Sequence, residues 1–227
     1  MDKSSLPLPG LFGSGCVEGA TGERLRPGDG AIVKALFERS GLRLGELVLD
    51  VGCGAGESLV WLEKHGFVGI GVDRDPRTLA IAASRVVSAL FHGDGARLPF
   101  ADGCFDAVLS ECSLSLMSDR RAALVEWARV LKPGGRLLLA DVEWPRDDGR
   151  DDLCEDILAA GFVILHDEDR SDVLAGFVAR FIFHYGSLDA LWGDCACAGQ
   201  TAGRPRYRLL VAARSGEPMA SKGRANP

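Results

Sequence analysis

The sequence predicts an α/β fold in which helices cover both faces of a mainly parallel β-sheet. Two features indicate this fold. Short apolar segments, of which residues 47–51 and 68–72 are the first two, alternate with segments whose apolar residues follow helical spacing. The first apolar segment also leads directly into glycines at alternate positions, Gly52, Gly54 and Gly56. Because ligands of such sheets bind at the carboxyl ends of the strands, this glycine turn is the first candidate site.

The spacing of these glycines separates two classes of cofactor. Glycine lets a ligand approach the bare backbone, and the start of the following helix offers N–H donors and a positive dipole end. Turns that bind dinucleotides follow the pattern G-x-G-x-x-G. Here the third glycine, Gly56, comes one place early, and Glu57 occupies the position of the last glycine. A carboxylate at that place would face a pyrophosphate, so a nicotinamide-dependent dehydrogenase is disfavoured.

Acidic residues follow the next two apolar segments. Asp73 ends the second segment, where a carboxylate can accept hydrogen bonds from both ribose hydroxyls of an adenosine. Asp94 follows the third segment in a turn flanked by Gly93 and Gly95. One strand-end acid alone is better explained as a solvated carboxylate. Acid, glycine and spacing recur in order here, and that recurrence favours a nucleoside site.

These motifs together resemble those of a known family. The matching segments are residues 50–56, 71–73, 93–100, 105–108 and 131–136. They resemble the class I S-adenosylmethionine (SAM) dependent methyltransferases, most closely the small-molecule branch that includes the quinone-biosynthesis and arsenite methyltransferase types. The resemblance implies a Rossmann-like, doubly wound sheet of seven strands in the order 3-2-1-4-5-7-6, with the last strand antiparallel. It also implies SAM as the cofactor.

The resemblance assigns roles to individual residues. The glycines of the turn would line the methionine and ribose portion of SAM, Asp73 would hold the ribose diol, and Asp94 would accept from the adenine amino group. Asp50 would orient the glycine turn or meet the methionine amino group, and Ser110 would lie near the methionine tail. The complete set of cofactor-binding candidates is Asp50, Gly52, Cys53, Gly54, Gly56, Asp73, Arg74, Asp94, Gly95, Ala96 and Ser110.

Methyl transfer from a sulfonium needs little acid catalysis, because the positive charge on sulfur disappears as the thioether leaves. The enzyme contributes mainly by aligning the reactants and excluding water. A hydroxyl or acidic-carbon acceptor also needs a base. The candidates, in order, are Glu111, Asp141, His166 and His184, and each has a purely structural alternative.

Cysteines offer a second kind of acceptor chemistry. Cys112, Cys195 and Cys197 could present a thiolate or a metalloid to the methyl group. In the arsenite methyltransferases a cysteine in a similar Ser-x-Cys context occurs near the position of Cys112. No resident metal is expected, because a zinc site normally draws four ligands from recognisable pairs and no second pair is visible. Cys195 and Cys197 are weak metal candidates, and a structural role for them is the alternative.

The predicted function is therefore methyl transfer from SAM to a small-molecule acceptor. One alternative is a noncatalytic SAM-binding or regulatory module, and another is a methyltransferase for a thiol or a metalloid. The chain has 227 residues, 47% of them hydrophobic, and a net charge of −6 with scattered basic residues, which predicts one compact domain without a nucleic-acid partner. No apolar run approaches the roughly 20 residues of a membrane span, so no membrane insertion and a cytoplasmic location are expected.

The predicted organisation is an irregular arm at 1–27, one domain at 28–214 and a flexible tail at 215–227. Between the sixth and seventh strands an insertion at about 168–205 begins with a helix near Ser171, which packs on the sheet or on a partner chain. Asp75 and Pro76 predict a helix through about residue 87, and Ser118 is expected to cap the next one. Residues 133–135 are expected to form a turn before strand five.

Overall fold

The computed structural model describes residues 27–143, 152–185 and 205–216, without the side chains of residues 29, 184 and 185. Helices and strands alternate along these ranges. They are α1 (Asp29–Ser40), β1 (Leu47–Val51), α2 (Glu57–Lys64), β2 (Val68–Asp73), α3 (Pro76–Ala83), β3 (Ala89–His92), β4 (Phe105–Glu111), α4 (Arg120–Val130), β5 (Leu131–Glu143), α5 (Asp152–Ala159), β6 (Phe162–Asp169), α6 (Ser171–Tyr185) and β7 (Arg206–Arg214).

The strands form one seven-stranded sheet in the order β3-β2-β1-β4-β5-β7-β6. Strands β1 to β5 pair in parallel. Strand β7 lies between β5 and β6 and is antiparallel to both. The predicted fold class and strand order are therefore confirmed. The carboxyl ends of β1, β2, β3 and β4 meet at one edge of the sheet, where the glycine turn lies.

Each face of the sheet carries its own apolar core, because successive side chains of a strand point to opposite faces. Leu109 of β4 packs in the core beneath α1, α2 and α6, whereas its neighbour Val108 packs in the core beneath α4 and α5. The largest side chains buried in these cores include Phe177 of α6 and Trp127 of α4. The sheet is thus covered on both sides, which leaves its edges and strand ends for ligands.

Helix α3 begins where predicted and ends earlier. Its first turn is capped by Asp75, whose carboxylate accepts from the backbone N–H of Arg77 at 2.9 Å. The helix stops at Ala83 rather than near residue 87. The reason is a long-range contact, since Glu63 of α2 accepts from the N–H groups of Val87 and Ser88, both at 2.8 Å. These bonds draw the chain out of helical geometry toward β3.

Two further local predictions were wrong. The cap of α4 is Asp119 and not Ser118, because the Asp119 carboxylate accepts from the N–H of Ala122 at 2.9 Å. Residues 133–135 are not a turn before β5 but lie inside it. The register against β4 shifts there, from Phe105 opposite Leu131 to Ala107 opposite Arg136. The extra residues form a bulge that keeps the chain in the sheet.

Helix α6 begins at Ser171, as predicted for the start of the insertion, and packs on the sheet. Leu174, Phe177 and Phe181 are buried in the same core as α1 and β7. The remainder of the predicted insertion, with Cys195 and Cys197, lies outside the described residues, as do residues 1–26 and 217–227. The proposed domain boundaries therefore stay predictions. None of the helices described is long and apolar enough to cross a membrane.

The packing of α6 can be tested with two substitutions on this one helix. Phe177→Ala removes a fully buried ring and should lower the free energy of unfolding by about 3 to 5 kcal/mol. Ile182→Ala removes a side chain that is 41% exposed and should cost less than about 1 kcal/mol. Urea denaturation of both variants measures the difference. Equal losses would contradict the docking of α6 on the sheet.

Candidate active site

The glycine turn between β1 and α2 is built from left-handed backbone. Gly52, Gly54 and Gly56 have φ values of 76°, 52° and 81°, which residues with a Cβ rarely adopt. A Cβ on Gly52 would lie 2.4 Å from the Cβ of Ser113, so that glycine is required for packing. A Cβ on Gly54 would meet no atom within 4 Å. Gly54 therefore borders open space that a ligand can enter.

Asp73 joins the end of β2 to this turn. Its Oδ2 accepts from the N–H of Gly54 and its Oδ1 accepts from the N–H of Asp75, both at 2.8 Å. A carboxylate oxygen has two lone pairs, so each oxygen can accept one further hydrogen bond. The half-buried carboxylate thus holds the turn and can still accept from a diol. The neighbouring Arg74 is exposed, and its carbonyl lies 3.0 Å from Nε2 of His92.

The turn after β3 is anchored on α4. The carbonyl of Gly95 accepts from Nε1 of Trp127 at 2.9 Å, and a Cβ on Gly95 would lie 2.6 Å from Cε of Met117. Asp94 is exposed, and its Oδ1 accepts from the N–H of Ala96 at 2.9 Å. The turn therefore has a fixed shape, and the side chain of Asp94 is exposed to solvent beside it.

The predicted contact of Asp94 with an adenine amino group stays a prediction. Its support is positional, because the turn is fixed at the same sheet edge as the glycine turn and its carboxylate is exposed to solvent there.

Asp50 precedes the glycine turn and Cys53 lies within it, and both side chains are buried. Asp50 lies in the buried part of β1, just before its last residue Val51, and is 2% exposed. Cys53 is 7% exposed, and its sulfur would lie 2.7 Å from a Cβ on Gly71, so the thiol points into the core beneath β2. Burial, with the negative charges of Asp50 and Asp73, raises the pKa of the Cys53 thiol far above its ordinary value. The thiol therefore stays protonated, and residue 53 faces the turn through its backbone.

Two serines tie the end of β4 to the end of β1. Ser110 is fully buried, and its hydroxyl lies 2.7 Å from the hydroxyl of Ser113. Ser113 in turn donates to the carbonyl of Val51 at 2.7 Å. Ser110 thus supports the site from within the core, and its predicted contact with the methionine tail stays a prediction. Ser113 was not predicted from the sequence, where its only cue is its place three residues beyond Ser110.

The end of β4 carries two of the catalytic candidates. Oε2 of Glu111 accepts from the hydroxyl of Ser58, in the first turn of α2, at 3.1 Å. Cys112 has a φ of 53° and, within the described ranges, is the one non-glycine residue with a positive φ. Its N–H donates to the carbonyl of Ala140 at 2.8 Å, and its sulfur lies 3.5 Å from the hydroxyl of Tyr207. The left-handed backbone conformation of Cys112 costs about 1 kcal/mol or more, and strain of this kind is typical of functional sites.

Tyr207 is a residue that the sequence analysis missed, because β7 reads as an ordinary apolar strand. Its side chain is fully buried. Burial raises the pKa of the phenol well above its ordinary value, and the electrostatic interactions with Cys112, Glu111 and Asp141 act in the same direction. The phenol therefore keeps its proton and its place beside Cys112.

The other base candidates differ in their surroundings. Asp141 is buried, and its carboxylate accepts from the N–H and hydroxyl of Ser115 at 3.0 and 2.6 Å. Burial raises the pKa of Asp141, while these hydrogen bonds oppose the rise. His166 lies on the edge strand β6, where Arg39 donates to its Nε2 at 2.9 Å, so the fold separates it from Glu111. The side chain of His184 is outside the described part of the chain.

No group of three or more metal-ligating side chains occurs within residues 27–143, 152–185 and 205–216. The four cysteines described, Cys53, Cys104, Cys112 and Cys154, are free thiols. The described site therefore offers carboxylates, hydroxyls, backbone groups and the thiol of Cys112.

Comparison with known proteins agrees with this geometry. A family model described as a methyltransferase domain matches residues 49–139. A demethylmenaquinone methyltransferase of Corynebacterium glutamicum (strain R) is 44% identical over 112 residues, which are 49% of this chain and 48% of that protein. Residues 49–139 therefore match a domain of the kind that the sequence motifs resemble. The chain spans about half the length of the curated relatives it matches.

Solved structures extend the likeness beyond that segment. The [4+2]-cyclase SpnF matches with a TM-score of 0.66 and 28% identity, over 82% of this chain and 81% of that one. A geranyl diphosphate C-methyltransferase from Streptomyces coelicolor A3(2), solved with S-adenosyl-L-homocysteine, has the same TM-score at 18% identity over 81% and 75%. The fold is thus shared with proteins of different activities, so the reaction must be argued from this chain's own residues.

The buried phenol of Tyr207 predicts a loss of stability in alkali. The pKa of this phenol is raised in the folded protein. The contribution of the neutral phenol to folding stability is therefore complete below the unfolded pKa of about 10, and it is lost as the pH rises toward the folded pKa. Tyr207→Phe has no phenol to ionise. Above pH 10 the wild type should therefore lose about 1 kcal/mol per pH unit more than the variant. Urea denaturation across this range measures both slopes, and parallel slopes would contradict the burial of Tyr207.

Proposed function

We propose that this protein transfers a methyl group from SAM to a small-molecule acceptor. One observation carries the proposal, namely the hydrogen bond between Oδ2 of Asp73 and the N–H of Gly54 beside open space. It brings the acid at the end of β2 against the glycine turn, so a ribose bound by Asp73 would rest on bare backbone. The turn, the acid and Asp94 are the parts that a nucleoside requires.

When bound, SAM supplies a methyl group on a positively charged sulfur. The chain offers negative charge where that cation would lie, because Asp50 lies one residue before the end of β1. Gly54 permits the cofactor to approach the backbone closely, and the N–H groups at the start of α2 face the glycine turn. These residues would bind and orient the cofactor, which is the main contribution that such a transfer needs.

The acceptor would enter beside β4. Glu111 is our first candidate for a base, since its carboxylate is half-buried and directed by Ser58 at the start of α2. Asp141 is the second, although Ser115 already engages its carboxylate. Cys112 would serve a thiolate or metalloid acceptor, and its strained backbone supports a role in the site. His184, Cys195 and Cys197 remain candidates from the sequence.

A second candidate function is a SAM-fold protein that does not transfer methyl groups. The specific observation in its favour is the structural likeness to a protein named as a [4+2]-cyclase. The name of the curated relative supports methyl transfer instead, and it suggests demethylmenaquinone as the first acceptor to test. The cytoplasmic location and the lack of a nucleic-acid partner stay predictions from composition.

The cofactor role of Asp73 is testable by calorimetry with SAM. Asp73→Asn removes the charge that ribose hydroxyls would bond, and hydrogen bonds to charged groups contribute about 1.5 to 3 kcal/mol. We therefore expect SAM affinity to fall by about tenfold or more. The control is Asp106→Asn at the opposite edge of the sheet, because Asp106 accepts from the N–H of Leu47 at 2.9 Å in the same manner. Unchanged SAM binding by Asp73→Asn would remove the proposed site.

The role of Glu111 as a base is tested by separating binding from transfer. Glu111→Gln should retain SAM affinity within about threefold, while transfer from isotopically labelled SAM falls by about a hundredfold or more. The acceptors supplied are reduced demethylmenaquinone and a metabolite extract. Transfer into no product by the wild type would favour the noncatalytic alternative, and full transfer by the variant would exclude Glu111 as the base.

A further inference from the structure

The exit of the glycine turn is held by an arginine from another element. Nη1 of Arg85, in the turn after α3, donates to the carbonyl of Ala55 at 3.0 Å and to Oε1 of Glu57 at 2.6 Å. Both partners border Gly56, the N-cap of α2, which no side chain caps. A turn with three left-handed glycines loses much conformational freedom when it orders, so contacts from outside decide how well it is fixed.

The peptide group between Ala55 and Gly56 is bonded at both of its polar atoms. Its carbonyl accepts from Arg85, and its N–H donates to the carbonyl of Cys53 at 2.9 Å. A planar peptide held at both ends has a fixed orientation. Because this peptide immediately precedes α2, its orientation sets the direction of the N–H groups in the first turn of that helix.

Packing and charge support the same contact. A Cβ on Gly56 would lie 3.2 Å from the Cβ of Ala82, so the end of α3 is pressed against the exit of the turn. The side chains of Arg85 and Glu57 are 32% and 30% exposed, which leaves their ion pair partly shielded from water. Arg85 also balances the carboxylate of Glu57 beside the turn. From the sequence, Glu57 was interpreted only as an obstacle to a pyrophosphate.

We propose that Arg85 is a positioning residue for the cofactor, which holds the 55–56 peptide and thereby keeps the glycine turn in its binding conformation. The inference rests on the proposed function, because the turn would be the SAM site. Arg85 acts through the backbone of Ala55, and Glu57 serves mainly to direct the guanidinium.

Calorimetry with SAM and with its demethylated product, S-adenosylhomocysteine, tests this role. Arg85→Met keeps the length of the side chain and removes its donors, and it should weaken SAM binding by about fivefold or more. Arg85→Lys should restore most of the affinity, because an ammonium can still donate to the carbonyl of Ala55. Glu57→Gln should weaken binding less than Arg85→Met. The control is Arg136→Met, since Nε of Arg136 donates to the carbonyl of Ser40 at 2.9 Å far from the turn.

Hydrogen exchange of the free protein supplies a readout that needs no ligand. Peptides covering residues 52–58 should exchange faster in Arg85→Met and at the wild-type rate in Arg136→Met. Unchanged SAM affinity in Arg85→Met would overturn the inference, as would a loss that Arg85→Lys does not restore. A wild-type protein that binds neither SAM nor S-adenosylhomocysteine would overturn the proposed function instead. Exchange would then still decide whether Arg85 fixes the turn.

Discussion

The site depends on one hydrogen bond, from the N–H of Gly54 to the carboxylate of Asp73. It joins the turn after β1 to the end of β2, and these strands are neighbours in the parallel sheet. A left-handed glycine turn has little stiffness of its own, so its shape comes from the residues around it. Ser113 supports the turn from beneath Gly52, and Arg85 holds its exit. The site is therefore a property of the sheet edge and not of the glycine motif alone.

The parts of the site that the sequence made predictable are those encoded locally. Apolar segments followed by glycine or an acid identified the turn after β1, Asp73 and Asp94, because each motif lies within a few residues of the chain. Tyr207 and Arg85 were missed for the opposite reason. Tyr207 reaches Cys112 across a separation of 95 residues, and Arg85 reaches Ala55 across 30. No local sequence pattern predicts contacts between residues so far apart in the chain.

The same distinction explains the errors in the fold. The order of the strands and the start of α6 follow from periodicity and from the family resemblance. The early end of α3 depends on Glu63, a residue of the preceding helix. The bulge at 133–135 depends on the register against β4, which only pairing of the two strands reveals. Proline and glycines fit a turn and a bulge equally well, so composition alone does not distinguish them.

The proposed site has a cofactor half and an acceptor half, and the two come from different parts of the chain. The proposed cofactor half consists of the turns that follow β1, β2 and β3, and these turns lie within the family match at 49–139. The proposed acceptor half combines Glu111 and Cys112, which also lie within that match, with Tyr207 of β7, which lies outside it. The family match therefore includes the proposed cofactor half and only part of the proposed acceptor half. Because Tyr207 is buried in the same core as Phe177 and Phe181 of α6, the packing of that helix on the sheet helps to hold the phenol beside Cys112.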